Sequence, residues 1–305
     1  MQAPAVLQGV IVPVVTPFSM SGEVDSGALT DQLRWLSGRG LAGVVALGST
    51  GEAPLVNCEE RRLIYETVAR ERGEGEVFIA GTGAESTAGA IENARLAAEA
   101  GADAQLVITP SYYRAQMNSA ALTTCFRALA DTSELPIILY NIPQNTGVPI
   151  PPAVVETLAA HEKIIGIKDS SGDMSSLQLY LERTPPRFGV ITGSALLAGT
   201  AALSGACGAI LAMANVVPEL CVATFAAGRD GRCGEVPGLQ VELNHLTRAI
   251  QGRFGIPGIK TAASLLGGSG GHPRLPLLAP DESGREEIRA ALAEGGLLDP
   301  AATGA

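Results

Sequence analysis

Eight short apolar runs, spaced along the first two thirds of the chain, constrain the fold more than any other feature of the sequence. Each run is rich in Val, Ile and Leu at consecutive positions, which is typical of parallel strands that are covered on both faces. The runs span residues 9–18, 41–50, 76–83, 103–110, 135–143, 163–170, 188–194 and 206–213. Helical patterns separate them; one has Leu29, Leu33 and Leu36 on a single face and ends at a glycine.

Eight strand-like runs that alternate with helices predict an α/β protein of the (β/α)8, or TIM barrel, class. An open doubly wound sheet is the alternative, but the downstream glycines of its phosphate-binding turn do not follow the GTG at residues 81–83. About ninety residues after the last run have helical patterns, and no linker composition separates them from the rest. We therefore expect a barrel over residues 1–215 and C-terminal helices, packed on the barrel as an extension, over residues 216–305.

Composition excludes several functional classes. The chain has 21 Lys and Arg against 31 Asp and Glu, a net charge of -10, and no basic cluster, so we expect no nucleic-acid partner. The N-terminal segment lacks the pattern of a signal peptide and no apolar stretch is suited to cross a membrane, which predicts a cytoplasmic protein. The five cysteines form no CxxC pair, and no Cys, His or carboxylate spacing suggests a metal site.

A lysine at the end of the sixth run is the first candidate for chemistry, because TIM-barrel active sites lie at the C-terminal ends of the strands. Side chains alternate along a strand, so Lys168 shares a face with Gly166, which we expect to leave room beneath it. Apolar surroundings favour the neutral amine of a lysine, and a neutral amine can form a Schiff base with a ketone. The spacing alone favours the alternative, a lysine that caps a strand at the surface.

Two further strand ends carry hydroxyl groups. Tyr140 ends the fifth run and could relay a proton if it bonds to other hydroxyls, or it could simply be an aromatic residue at the barrel rim. Ser49 and Thr50 lie between two glycines after the second run. Their hydroxyl and backbone N–H groups could form a cradle for a carboxylate, although an ordinary turn fits the same residues. The three histidines have no Ser or Cys partner in a recognisable catalytic arrangement.

Three motifs, GSTGE (48–52), LYNIPQNTG (139–147) and GIKDSSGD (166–173), resemble those of one superfamily, in its order and roughly its spacing. It contains the dihydrodipicolinate synthases and N-acetylneuraminate lyases, which are pyruvate-dependent class I aldolases, and the resemblance covers about residues 7–295. It implies that Lys168 forms an imine with a 2-oxo acid such as pyruvate, without a metal or organic cofactor. It also implies a homotetramer built as a dimer of dimers.

The resemblance assigns further roles. Tyr140 is the acid/base, and its proton relay runs through Thr50 to Tyr112 supplied by a neighbouring subunit. The substrate-binding residues that it implies are Ser49, Thr50 and Gly51 for the C1 carboxylate, and Asn145, Ser170, Gly193 and Ser194 for the distal pocket.

Within the superfamily the chain is most similar to 4-hydroxy-2-oxoglutarate aldolase, through runs such as TPSYYRAQMNSAAL (109–122) and RFGIPGIK (253–260). Asn145 agrees with that group, whereas the synthases usually carry an arginine there that grips the carboxylate of aspartate semialdehyde. Thr50 departs from it, since those relatives often carry Asn. The expected reaction is cleavage of 4-hydroxy-2-oxoglutarate to pyruvate and glyoxylate. The alternatives are condensation of pyruvate with aspartate semialdehyde, an aldolase or dehydratase acting on a 2-keto-3-deoxy sugar acid, and a non-catalytic sensor of 2-oxo acids.

Overall fold

Eight parallel strands close into a single barrel in a computed structural model that describes residues 3–298. Each strand lies inside one of the eight apolar runs and pairs with its neighbours in chain order, with β8 closing onto β1. This confirms the predicted TIM barrel and excludes the open sheet. The strands are β1 (Gly9–Pro13), β2 (Gly43–Ala46), β3 (Val77–Gly81), β4 (Ala104–Ile108), β5 (Ile137–Asn141), β6 (Ile164–Asp169), β7 (Gly189–Thr192) and β8 (Gly208–Ile210).

Helices cover the outside of the barrel and follow its last strand. Several begin at an Asp, Asn or Ser whose side chain accepts a hydrogen bond from the first turn, as Asn57 does for Glu60. The helices are α1 (Ser26–Leu36), α2 (Cys58–Glu71), α3 (Thr87–Glu99), α4 (Ser119–Thr132), α5 (Pro143–Thr146), α6 (Pro152–Leu158), α7 (Met174–Arg183), α8 (Ala198–Leu203), α9 (Pro218–Arg229), α10 (Val236–Leu246), α11 (Arg253–Leu265) and α12 (Glu282–Glu294). No helix within residues 3–298 is long and apolar enough to cross a membrane.

The interior of the barrel is filled from below by its own N-terminal segment. Leu7 is fully buried and belongs to the same cluster as Ile11, Ile138 and Tyr140. A Cβ atom on Gly166 would lie 2.6 Å from Leu7 Cδ1 and 2.5 Å from the carbonyl oxygen of Gly189. Leu7 and the neighbouring strand β7 therefore occupy the space at Gly166. The expectation that Gly166 leaves room for Lys168 is wrong.

The C-terminal helices share one core with the barrel. Leu243, Ile259 and Leu292, from α10, α11 and α12, are buried in the same cluster as Val12 and Val44 of the barrel strands. After α10, a π-helical turn (Thr247–Gly252) leads into α11, which Gly255 breaks by adopting a φ of 61° and a ψ of -145°. These angles are open essentially to glycine alone, and such irregular turns are frequent at functional sites. The last seven residues of the predicted extension lie outside the described residues.

Candidate active site

The barrel register brings the two principal candidates of the sequence together. Strands β5 and β6 are neighbours, and Tyr140 pairs with Lys168 in their ladder. The Nζ atom of Lys168 lies over the ring of Tyr140, 4.2 Å from its centroid. A lysine and a tyrosine that are 28 positions apart in sequence thus form one unit at the C-terminal end of the barrel.

Lys168 is buried, since only 4% of its surface is exposed. Among residues 3–298, no carboxylate lies within ion-pair distance of its Nζ atom. Its side chain is therefore not engaged in an ion pair within these residues, and a lysine amine that is free to react is a nucleophile for a carbonyl. The geometry therefore favours the reactive interpretation of Lys168 over a surface cap.

Hydrogen bonds between neighbouring strand ends hold the residues that follow Lys168. The Asn141 side chain donates to Asp169 Oδ1 over 2.7 Å, and Ser171 Oγ donates to Asp169 Oδ2 over 2.8 Å. The backbone N–H of Ser170 donates to the Asn141 carbonyl, and that of Gly193 donates to the Asp169 carbonyl. Burial raises the pKa of Asp169, and the bonds from Asn141 and Ser171 oppose that rise. Ser170 is thereby fixed beside Lys168 on a rigid support.

Gly193 marks the closest approach in this cluster. A Cβ atom on it would lie 1.9 Å from Ser170 Oγ and 2.8 Å from Lys168 Cε. Real Cβ atoms do not come this close to other atoms, so any side chain here would displace the lysine, the serine or both. Glycine fits here because the chain just after β7 passes directly against Lys168.

The turn after β2 provides two unused donors. The backbone N–H groups of Ser49 and Thr50 make no hydrogen bond to another group within residues 3–298, and both residues border the cavity at Lys168. Leu47 and Glu52, which flank this turn, both adopt left-handed backbone conformations, with φ of 54° and 55°. Such a conformation is unfavourable for residues other than glycine. Where it occurs, it is often at a functional site. The turn can therefore present two N–H groups and two hydroxyls to a carboxylate.

The hydroxyl next to Tyr140 belongs to Ser49. Ser49 Oγ lies 3.4 Å from the Tyr140 hydroxyl, whereas Thr50 makes no side-chain hydrogen bond to Tyr140. Of the two hydroxyls in this turn, the one within hydrogen-bond distance of Tyr140 is therefore that of Ser49, and the predicted relay through Thr50 stays a prediction. The N–H of Gly51 donates to the Gly48 carbonyl within the turn, and Gly51 does not border the cavity, so its N–H is not free for a carboxylate.

A cavity of about 390 Å³ opens above Lys168. Eight of the residues that the sequence singled out border it: Ser49, Thr50, Tyr140, Asn145, Lys168, Ser170, Gly193 and Ser194. Of its lining residues in the described part of the chain, Lys168 alone has an ionisable side chain other than the Tyr140 phenol. Apart from these two residues, the lining of the cavity is therefore uncharged.

Tyr112 lies away from Lys168 of its own chain. It is 78% exposed and packs edge-on against Tyr113, with 5.0 Å between the ring centroids. The Glu85 carboxylate fixes its backbone by accepting bonds from the N–H groups of Ser111 and Tyr112 and from the Ser111 hydroxyl. Burial alone would raise the pKa of Glu85, but these bonds lower it. The role of Tyr112 in the active site of a neighbouring subunit stays a prediction.

One wall of the cavity comes from residues that the sequence did not single out. Gln144 of α5 borders it and donates from its amide to the Ser170 carbonyl over 2.7 Å. Gln251, from the π-helical turn before α11, and Gly255 and Ile256, from the first turn of α11, also line it. A glycine followed closely by Pro257 in an otherwise helical pattern is a signal for such a break.

Tyr140 and Ser49 also border a second cavity, of about 350 Å³, on the other side of the β2 turn. Arg61 and Glu85 lie on its walls. The buried Arg61 guanidinium donates to the Gly81 carbonyl and to the Tyr65 hydroxyl, both over 3.0 Å. Within residues 3–298, no cluster of three or more His, Cys, Asp or Glu residues could hold a metal ion in either cavity.

The chain is similar to known proteins over nearly its whole length. Residues 6–295 match the model of the dihydrodipicolinate synthetase family. The 4-hydroxy-tetrahydrodipicolinate synthase of Methanothrix thermoacetophila is 36% identical over 283 residues, which cover 92% of this chain and 95% of that protein.

Two solved structures have the same fold. The dihydrodipicolinate synthase of Acinetobacter baumannii, crystallised with pyruvate, superposes with a TM-score of 0.88 at 32% identity and covers 96% of this chain and 100% of its own. A monomeric dihydrodipicolinate synthase variant superposes with a TM-score of 0.90 at 27% identity, and the match covers 96% of this chain and 98% of the variant. The chain therefore belongs to the dihydrodipicolinate synthetase family, and it is a pyruvate-dependent carbon–carbon lyase of the class I aldolase type.

Proposed function

We propose that Lys168 forms a covalent imine with a 4-hydroxy-2-oxo acid and that this chain cleaves the acid reversibly to pyruvate and an aldehyde. The amine of Lys168 attacks the C2 ketone, water leaves, and the protonated imine becomes an electron sink. The free N–H groups of Ser49 and Thr50 hold the C1 carboxylate. The chemistry requires no metal ion or organic cofactor.

Tyr140 takes the proton from the C4 hydroxyl in the next step. As it does so, its own phenolic proton moves to the Ser49 hydroxyl, 3.4 Å away, which releases its proton outward along the relay; the relay later returns a proton through Tyr140 to C3. The C3–C4 bond breaks, the aldehyde leaves, and the electron pair moves into the enamine on Lys168. Protonation of C3 and hydrolysis of the imine then release pyruvate and regenerate the amine.

The neutral outer cavity carries our proposal for the substrate, which is 4-hydroxy-2-oxoglutarate, giving glyoxylate as the aldehyde. Glyoxylate has two carbons, so its carboxylate is attached directly to the reacting carbon, and we expect Ser170 and Ser194, which border the cavity, to bind it. A longer acceptor would place its carboxylate at the rim, where Asn145 offers an uncharged amide. An amide does not replace the paired, charged donors of an arginine.

Synthesis of 4-hydroxy-tetrahydrodipicolinate from pyruvate and aspartate semialdehyde is the second candidate. The name of the Methanothrix relative and those of the similar solved structures favour it over cleavage of 4-hydroxy-2-oxoglutarate. The same imine on Lys168 serves both reactions, since both proceed through the pyruvate enamine. They differ in what occupies the outer cavity.

A substrate panel on the purified protein separates the two. We expect the release of pyruvate from 4-hydroxy-2-oxoglutarate to exceed the consumption of pyruvate with aspartate semialdehyde, and Asn145→Arg to shift the ratio towards the semialdehyde. Asn145→Gln, which keeps an amide at the rim, is the matched control. If the unmodified protein condenses aspartate semialdehyde efficiently and leaves 4-hydroxy-2-oxoglutarate intact, the second candidate replaces the first.

We further propose a homotetramer in which Tyr112 completes the relay of a neighbouring subunit. Its exposed ring and its carboxylate-fixed backbone support this assignment. Light scattering gives the oligomeric state, and Tyr112→Phe should lower kcat while leaving the imine on Lys168 intact. A fully active monomer would contradict it.

A further inference from the structure

The turn that carries Ser49 and Thr50 is held under strain at both of its ends. Leu47 and Glu52 have positive φ angles, and within residues 3–298 no other residue except glycine does. Strained backbone persists only where surrounding contacts overdetermine it. At Leu47, the backbone is supported by the end of β3, which packs directly against it. A Cβ atom on Gly81 would lie only 1.9 Å from the Leu47 carbonyl oxygen.

On the other side, the support is an ion pair buried in the protein. The side chains of Glu52 and Lys260 are each 1% exposed and contact each other directly. Glu52 also accepts a bond from the backbone N–H of Arg274 over 2.9 Å, and Lys260 donates to the His272 carbonyl over 2.7 Å. The carboxylate thus joins the end of the β2 turn to α11 and to the loop that follows α11.

The surroundings of the pair leave it little freedom. Lys260 Nζ lies 4.7 Å from the centroid of the Phe18 ring, and the Arg274 guanidinium lies 4.2 Å from the same centroid. Arg274 is itself paired with Glu60 at the start of α2. Neither Glu52 nor Lys260 borders the cavity, so neither touches a substrate there.

The pair connects two walls of the cavity. Ser49 and Thr50 lie just before Glu52, while Gln251 and Gly255 lie before Lys260 in the segment that enters α11. A buried pair of opposite charges is weak support for overall stability, because burial costs free energy that the attraction only partly offsets. Its value lies in fixing one arrangement, since any movement of either partner leaves a charge unpaired.

We propose that Glu52 and Lys260 are positioning residues that hold the turn of Ser49 and Thr50 in the geometry that binds the carboxylate of pyruvate. This inference rests on the proposed function, in which that turn receives the C1 carboxylate while Lys168 forms the imine. Loss of the pair should therefore damage recognition of the carboxylate more than it damages the attack of Lys168 on a ketone.

Two ketones distinguish these effects. Pyruvate carries the carboxylate, and methyl pyruvate presents the same ketone without the negative charge. Trapping the imine on Lys168 with borohydride, over a range of each ketone, gives half-saturating concentrations whose ratio measures the contribution of the carboxylate. In the unmodified protein we expect pyruvate to be trapped at the lower concentration.

The informative variant is Glu52→Gln/Lys260→Met, which removes both charges and leaves neither one buried alone. We expect the preference for pyruvate to fall about tenfold or more, since small displacements of binding groups have effects of this size. Lys260→Arg should retain part of the preference. Lys163→Met is the matched control, because Lys163 donates to the Ser133 carbonyl before β6, remote from the cavity.

The outcomes are distinct. A folded double variant, checked by circular dichroism, whose ratio stays within twofold of the unmodified protein overturns the positioning role. An equal loss for both ketones also overturns it, because general weakening of the fold affects both alike. Should the double variant not fold, Lys260→Arg decides: an unchanged ratio there counts against the proposal. If the unmodified protein forms no imine on Lys168, the proposed function fails instead.

Discussion

Two lysines of this chain are buried, and their surroundings differ in one essential respect. Lys168 is 4% exposed, lies over the ring of Tyr140 and faces a cavity. Lys260 is 1% exposed, lies over the ring of Phe18 and is paired with Glu52. A buried lysine with a carboxylate partner has its charge balanced and fixes structure, whereas one that faces a cavity without such a partner is available for chemistry.

Removing each lysine is the most direct way to test this difference, and it carries the largest expected effect. Lys168→Ala should lower kcat by about a thousandfold or more, as loss of a covalent nucleophile does, and should abolish the borohydride-trapped adduct. Lys260→Met should keep the adduct on Lys168 at saturating pyruvate. Peptide mass mapping after reduction locates the adduct. An adduct that moves to Lys260 would reverse the assignment.

The two aromatic rings offer the next test. Tyr140→Phe gives Lys168 the kind of neighbour that Lys260 already has, a ring without a hydroxyl. We expect kcat to fall by a factor of about 10² to 10⁴, the usual range for loss of an acid/base group, while the imine still forms. Ser49→Ala should reproduce much of this loss.

Thr50→Val is the matched comparison for Ser49→Ala, because Ser49 and not Thr50 lies against the Tyr140 hydroxyl. Single-turnover rates with 4-hydroxy-2-oxoglutarate separate imine formation from bond cleavage. A larger defect in cleavage for Thr50→Val than for Ser49→Ala would restore Thr50 to the relay.

A glycine is pressed against each lysine, and substitution of each should have a different consequence. In Gly193→Ala, the new Cβ would lie 2.8 Å from Lys168 Cε, so we expect a loss of about a hundredfold in kcat with the fold retained. In Gly270→Ala, it would lie 2.1 Å from the Lys260 carbonyl oxygen, so we expect a lower melting temperature.

Gly238→Ala is the control for both glycine variants, since nothing lies within 4 Å of the added atom. Thermal unfolding and steady-state kinetics should leave it close to the unmodified protein. If Gly193→Ala is fully active, the contact between β7 and Lys168 does not constrain the reaction.

Local patterns account for how far the fold could be predicted. Each strand is a short apolar run that is buried on both faces. The apolar composition of these runs was therefore enough to predict the barrel. The contact between Tyr140 and Lys168 depends on the register of β5 against β6. No single segment contains that register, and only the family motifs indicated it beforehand.

Turns and irregular helices limited the prediction of the site. Side-chain direction in the Ser49–Thr50 turn depends on the left-handed residues at its ends, which alternation along a strand does not describe. The wall at Gln251 depends on the π-helical turn and on Gly255, where a regular helix was expected. Lys260 was not singled out, because its partner Glu52 is 208 positions away in the chain.

The pH dependence of stability carries the smallest expected effect and tests the paired lysine alone. Burial lowers the pKa of Lys260 to about 8, and the attraction of Glu52 only partly opposes this. A lysine in an unfolded chain has a pKa of about 10.4. Between these two values the unfolded chain therefore binds one more proton than the folded protein. The free energy of unfolding should rise with pH there, by at most about 1.4 kcal/mol per pH unit.

Urea unfolding of the unmodified protein and of Glu52→Gln/Lys260→Met, from pH 7 to pH 10, measures this contribution as a difference. Titration of the groups that both proteins share contributes equally to the two free energies of unfolding and cancels. The difference therefore reports the titration of the Glu52–Lys260 pair, which the nearby Arg274 guanidinium also influences. We expect the difference to be constant below about pH 8 and to change above it in favour of the unmodified protein. A difference that stays flat to pH 10 would mean that Lys260 keeps its proton, and that Glu52 stabilises the ammonium more strongly than burial penalises it.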